Sequence, residues 1–280
     1  MKLKCNSCDG LYDSLDIRFT KSCDNSCSFC IEKDGIGSFG QTDVSKLIQG
    51  TLISGIKSVL ILGGEPFLLP EKLLEYVKGV RNYVNSIYIT TSLPFTFVSK
   101  QNVCNEIIKL IDGLNVSVHS INSERNNEIF NASSSHYRLE LLCSLNSRFS
   151  HKIRTSINLV KGGIDSSEKL NDAISFLEQI GCKRIKLNEL QHSYLYVSYE
   201  KITGNRMKNP FSNGCQTIIR NDRIKITLKR SCFITEKSNK ASISDLVKVL
   251  VNKFTATKNT FKVMYENGSF ASHWIKDEQC

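Results

Sequence analysis

Short runs rich in β-branched residues alternate with segments whose apolar residues recur at helical spacing, and this rhythm is the strongest constraint the chain places on its fold. Residues 15–19, 58–62, 86–91, 115–119, 153–160 and 184–187 read as six strands. Between them, helix punctuation agrees: Thr42 as a cap before Val44, Leu47, Ile48 and Leu52, with Gly55 as the stop. Pro70 suits the first turn of a helix bearing Leu73, Leu74, Val77 and Val80. Ser99 opens a helix that closes near Gly113, and further helices fit 134–147 and 166–180. Strand, helix, strand in succession predicts an α/β fold with a parallel sheet, because parallel neighbours need a crossover between them.

Beyond Leu190 the rhythm changes. Residues 216–220 and 223–228 flank Asn221-Asp222 as a hairpin, followed by an amphipathic segment over 243–254 and a late strand near 261–265. The expected organisation is an N-terminal extension over 1–10, a barrel-like βα domain over 11–190 and a smaller α+β appendage over 191–280.

Composition narrows the class. In 280 residues, 40% are hydrophobic and only 16 are Gly and 4 Pro, which suits a folded core and excludes a disordered or collagen-like chain. No apolar run reaches the roughly 18–20 residues that cross a bilayer, so no membrane partner is expected. The formal net charge of +10 favours anionic partners: small molecules, nucleotides or nucleic acid. Eleven cysteines, an odd number, with no secretory signal in the opening Met1-Lys2-Leu3-Lys4-Cys5, point to a reducing, cytoplasmic setting in which thiolates serve metals.

Cys23, Cys27 and Cys30 follow the first strand in a CxxxCxxC loop. Three soft thiolates within one short loop suit an iron-sulfur cluster or zinc. The next Cys or His is Cys104, so no fourth ligand lies nearby and one coordination position stays open; zinc completed from a distance and unliganded thiols are the alternatives. Gly63-Gly64-Glu65-Pro66 ends the second strand. There, small residues admit a ligand to the backbone, Glu65 offers an acceptor to an ammonium group and Pro66 stiffens the turn.

Taken together, the loop of Cys23, Cys27 and Cys30, the aromatic Phe29 within it, and Gly63-Gly64-Glu65-Pro66 resemble the radical S-adenosylmethionine (radical SAM) superfamily over about residues 11–190. The resemblance implies a partial (β/α)6 TIM-like barrel. It also implies a 4Fe-4S cluster on the three thiols that binds the amine and carboxylate of SAM at its open iron. One electron, from a reductant such as flavodoxin or ferredoxin, would cleave SAM to methionine and a 5'-deoxyadenosyl radical that abstracts hydrogen from substrate.

By position, Thr90, Thr91 and Ser92 fall where relatives contact SAM, although Ser92 and Leu93 replace the usual Asn and Gly. Ser117 and His119 end the fourth strand, Ser117 as a cofactor contact and His119 as a catalytic candidate beside the reading of a structural histidine. Arg154 and Ser156 share a face of the fifth strand, where molybdenum-cofactor cyclase-like members hold the SAM carboxylate and ribose, with Asn158 as an alternative. Glu189 resembles a strand-end Glu of those members and is the second catalytic candidate.

Cys5 with Cys8, and Cys215 with Cys232, are a candidate auxiliary iron-sulfur cluster or zinc site, against the plainer reading of buried thiols. Tyr194, Tyr196 and Tyr199, near Lys201, Arg206 and Lys208, suit either packing at strand spacing or nucleotide stacking. The expected function is thus a radical SAM enzyme acting on an anionic small molecule or nucleotide. The competing readings are a radical SAM peptide or protein modifier or activase, and a zinc-stabilised nucleic-acid-binding module.

Overall fold

A computed structural model describes residues 14–32, 40–132, 137–190, 194–204, 216–230 and 263–271. Six strands pair in chain order, all parallel: β1 (Leu15–Arg18), β2 (Ser58–Leu62), β3 (Ser86–Thr91), β4 (Gly113–Ser117), β5 (Ile153–Leu159) and β6 (Arg184–Glu189). β1 and β6 do not meet, so the barrel is partial and stands open along one side.

Chain beyond residue 190 extends the same sheet at both edges. β7 (Gln216–Asn221) and β8 (Lys225–Lys229) form the expected hairpin, with a bulge between Ile218 and Arg220, and β8 runs parallel to β6. At the other edge β9 (Val263–Met264) runs parallel to β1 and is backed by β10 (Phe270–Ala271). The order across the ten strands is β10-β9-β1-β2-β3-β4-β5-β6-β8-β7. The amphipathic segment over 243–254 lies outside the described residues.

Alternation along the strands separates two faces. On β3 and β5, Ile87, Ile89, Ile153, Ile157 and Leu159 are buried and join one core with helical residues such as Leu73, Val77, Ile107, Leu142 and Leu170. The intervening Tyr88, Thr90, Arg154, Ser156 and Asn158, with Lys186 and Asn188 on β6, are half-buried and polar. A closed barrel fills its interior with branched apolar side chains. Here the inner face carries polar side chains instead.

The covering helices show where local chemistry redirects the pattern. In α1 (Val44–Ser54), Asp43 is the cap, accepting from the Lys46 amide at 3.1 Å, while Thr42 donates to the Phe19 carbonyl at 2.7 Å. Pro70 opens α2 (Pro70–Val80) as expected. The helix expected from Ser99 is two pieces, α3 (Thr96–Ser99) and α4 (Gln101–Leu110), and Gly113 starts β4 instead of closing the helix. A Cβ at Gly113 would strike the Tyr88 ring, so the glycine serves strand packing. β4 ends at Ser117, two residues early, because the His119 amide donates to Asn126 Oδ1 at 2.8 Å and leaves the ladder. Asn126 sits on α5 (Ser123–Phe130), a helix the sequence reading lacked, capped by Asn122 and closed by left-handed Asn131. α6 (Arg138–Phe149) and α7 (Ser167–Gln179) follow, the latter capped by Ser166.

Arg18, the last residue of β1, is 1% exposed and holds the C-terminal strand pair to the barrel. Its Nε and Nη2 donate to the two oxygens of Glu266 at 2.8 and 3.2 Å, its Nη1 lies 3.5 Å from Glu32, and Tyr265 stacks 4.3 Å from the guanidinium. A two-pronged pair this buried is costly to break from one side, because the remaining charge keeps its desolvation penalty. Glu266→Ala is therefore expected to lower unfolding free energy by about 3 kcal/mol, somewhat softened by Glu32. Denaturant unfolding checks it, and a change below about 0.5 kcal/mol would remove the clamp from the account.

Candidate functional site

The three-cysteine loop leaves β1 and is pinned along its length by backbone bonds. Glu65 N–H donates to the Ser22 carbonyl at 2.8 Å, Ser26 N–H to Phe130 O at 3.0 Å, and Cys30 N–H to Cys27 O at 3.2 Å. Cys23, Cys27 and Cys30 are free thiols and all three reach one cavity of about 400 Å3 at the carboxyl ends of the strands. Among the described residues no three His, Cys, Asp or Glu side chains close on a single-ion site. Three soft thiolates on one short loop, each able to take one iron, are a donor set that a multi-iron centre can use. A bound cation is what makes such thiols release their protons.

Gly63 and Gly64 form the floor of the same cavity. Both take left-handed φ, +80° and +49°, which L side chains rarely adopt. A Cβ on Gly63 would enter Arg18, and one on Gly64 would meet the carbonyls of Thr20 and Ser22. The turn therefore presses backbone against backbone next to the thiols. It leaves room on the cavity side for a ligand to meet main-chain groups.

Glu65 is 1% exposed and its two oxygens are fully engaged. Oε1 accepts from Thr91 Oγ1 at 2.9 Å and Phe67 N at 3.1 Å, and Oε2 accepts from Ser92 N and Ser92 Oγ, both at 2.7 Å. Burial pushes its carboxyl up to about 7, against the pull of these four donors. The hydroxyls cannot reverse direction easily: Thr91 Oγ1 already accepts from Leu93 N at 3.0 Å and Ser92 Oγ from Asn25 Nδ2 at 2.8 Å. The surroundings are built for the carboxylate. Pro66 begins a buried 3-10 turn, Pro66–Leu68, that Glu65 caps.

Around this floor, Phe29, Thr90, Thr91, Ser92, Ser117, His119, Ser156, Asn158 and Glu189 all line the cavity. Pro66 and Arg154 do not. Arg154 donates to Asn115 Oδ1 at 2.8 Å, and Asn115 in turn donates to Thr90 Oγ1 at 3.3 Å, so it belongs to an inner-face ladder further down the strands. His119 is buried between the rings of Phe29, edge-on at 5.2 Å, and Phe130 at 4.7 Å. Its Nδ1 accepts from the Asn158 amide at 3.2 Å, and burial pushes its imidazole down to about 3, so it is neutral near pH 7. Glu189 accepts from Tyr199 N at 2.9 Å and lies 4.0 Å from Arg230. Tyr199 begins the short helix α8 (Tyr199–Thr203), and Tyr194 is 76% exposed, so these tyrosines do not share a strand. Cys5, Cys8, Cys215 and Cys232 lie outside the described residues.

Asn25, Asn188 and Lys229 also line the cavity and were missed. Alternation on β6 and β8 was the available signal for Asn188 and Lys229, each on the inner face at a strand's end. Asn25 was visible only as an unassigned letter between two cysteines.

Two measurements probe this geometry. Gly64→Ala is expected to cost about 2 kcal/mol or more, since strain at positive φ adds to a backbone clash, and an unchanged melting temperature would contradict the close approach. His119 has a depressed folded pKa, so its contribution is fully present above its unfolded value of 6.5 and is lost as pH falls from there toward 3. Stability should decline over that window by up to about 1.4 kcal/mol per pH unit from this group, and His119→Gln should flatten the decline. Parallel slopes for the two proteins would rule out a buried neutral imidazole.

Comparison with known proteins gives one answer. Residues 17–177 match the family described as the Radical SAM superfamily. The chain is 27% identical over 169 residues to GTP 3',8-cyclase of Lactiplantibacillus plantarum, covering 57% of this chain and 49% of that protein. With GTP 3',8-cyclase of Limosilactobacillus fermentum it shares 26% over 184 residues, covering 63% and 54%. It thus spans about half the length of these curated relatives. Streptococcus suis SuiB, solved with S-adenosylmethionine bound, has the same fold at a TM-score of 0.60 and 14% identity, covering 96% of this chain and 62% of that one. A radical SAM methyltransferase from Sphaerobacter thermophilus superposes at 0.53 with 16% identity, covering 68% and 60%. Because the family match extends over more than half of the sequence and the open parallel barrel recurs in these solved structures, the chain belongs to the radical SAM superfamily of enzymes.

Proposed function

We propose that the chain holds a 4Fe-4S cluster through Cys23, Cys27 and Cys30, binds SAM in the adjoining cavity, and acts on an anionic small molecule or nucleotide. The observation that supports this most directly is that three thiols, the Gly63-Gly64 floor and a ring of strand-end hydroxyls and amides all face one cavity. When bound, cluster and SAM supply reductive cleavage to methionine and a hydrogen-abstracting 5'-deoxyadenosyl radical, with the electron coming from a flavodoxin- or ferredoxin-type donor.

The chain's own residues divide the remaining work. Gly63 and Gly64 offer main-chain groups to the cofactor, while Glu65 serves it as scaffold, all its lone pairs being engaged within the protein. Thr90, Ser117, Ser156, Asn158 and Asn188 present neutral donors and acceptors suited to a ribose and an amino acid moiety. Phe29, His119 and Phe130 wall off water; the neutral imidazole of His119, its Nδ1 occupied, is a wall and not a base. Lys229 is the only Lys or Arg among the described lining residues, and it sits on β8, far along the sheet from the thiol loop. It suits an anionic group of the substrate, and since both curated relatives are named GTP 3',8-cyclase, a purine nucleoside triphosphate is the first class to try.

Anaerobic reconstitution with iron and sulfide, then dithionite, SAM and GTP, tests the reading by following 5'-deoxyadenosine. Bound iron and 5'-deoxyadenosine are expected from the unmodified chain, and only background from Cys27→Ala. Lys229→Ala should raise the KM for GTP about tenfold, equivalent to ~1.4 kcal/mol. Absence of bound iron, or full turnover by Cys27→Ala, defeats the cluster assignment; a GTP response untouched by Lys229→Ala defeats the substrate anchor.

A further inference from the structure

Arg138 opens α6, remote in sequence from every motif of the site, yet it is 1% exposed and its guanidinium ends against the thiol loop. Nη2 donates to Asn25 Oδ1 at 2.6 Å, Nε to the Ser92 carbonyl at 2.7 Å, and Nη1 to Asn127 Oδ1 at 2.5 Å, with the Phe130 ring 4.6 Å from the guanidinium. One side chain thus ties the loop between Cys23 and Cys27 to the end of β3 and to α5. The chain of bonds continues from Asn25 through Ser92 Oγ to Glu65.

Its charge is less well matched than its hydrogen bonds. All three acceptors are neutral carbonyl or amide oxygens. The carboxylate that pairs with it, Asp24, lies at 3.9 Å, beyond hydrogen-bond reach. The Glu65 carboxylate is committed to four other donors. A buried cation with so loose a partner is expensive. An anionic iron-sulfur centre on Cys23 and Cys27 would complete the balance.

We infer that Arg138 is a positioning residue for the cluster: it fixes the loop through Asn25 and places a permanent positive charge beside the thiolates. The inference rests on the reading of the three thiols as cluster ligands. A fixed positive charge favours the more negative, reduced state of a nearby centre and so raises its potential.

The test compares the reconstituted wild-type chain with Arg138→Met, Arg138→Lys and Asn25→Ala. It measures iron and sulfide per chain, the midpoint potential by redox titration and the electron paramagnetic resonance signal of the reduced centre with and without SAM. Arg138→Met should retain less than half of the iron and shift the remaining centre to a more negative potential. Arg138→Lys should keep the potential near wild type while still losing iron, because it keeps the charge without the three-way fork. Asn25→Ala, which leaves the buried guanidinium in place, reports on loop positioning even if Arg138→Met fails to fold, and should also lose iron. Wild-type iron content and potential in both Arg138→Met and Asn25→Ala would overturn the inference. Equal shifts in Arg138→Met and Arg138→Lys would overturn its charge component. Failure of the wild-type chain itself to bind iron would instead sink the underlying reading of the site.

Discussion

The carboxylate of Glu65 is the interaction on which the rest of this cavity depends. It is sealed from water, and removing an ionised group from water is costly unless every lone pair finds a donor. Two main-chain amides and two hydroxyls meet that demand, and they come from its own turn and from the end of β3. Two adjacent strand ends are thereby fixed relative to each other. The glycine floor, the hydroxyls facing the cavity and the amide of Asn25 inherit their positions from that single group.

Much of this was legible beforehand. The six central strands and the helices near residues 44, 70 and 167 follow from periodicity and capping, because each is written in a continuous stretch of sequence. The thiol loop and Gly63-Gly64-Glu65 announced themselves for the same reason. What escaped depends on partners far apart in the chain. α5 is too polar for a periodicity signal and exists because Asn122 and Asn131 bound it and Asn126 takes the amides after β4. Arg138 meets Asn25 across 113 positions, and no local pattern encodes that contact. Glu65 was read as an acceptor for a ligand's ammonium group, and its oxygens also take four donors from within the protein; nothing in four letters reveals how many donors the neighbouring strand will bring.

Two buried arginines hold the thiol loop at its two ends. Arg18 grips the stretch after the last cysteine through Glu32, and Arg138 grips the stretch after the first through Asn25. Loops free of regular structure usually gain rigidity from such bonds rather than from packing. Planar guanidinium groups, able to reach several oxygens at once, suit that task better than ammonium groups would.

Arg18 and Glu266 stand 248 positions apart, and this separation gives the clamp a place in time. Contacts between distant parts of a polypeptide carry the largest loop-closure entropy and tend to form late. On a ribosome, the thiols leave the exit tunnel long before the acid that steadies their neighbour has been synthesised. The order of translation thus places completion of the clamp after the thiol segment has already met the cell's iron and oxidants.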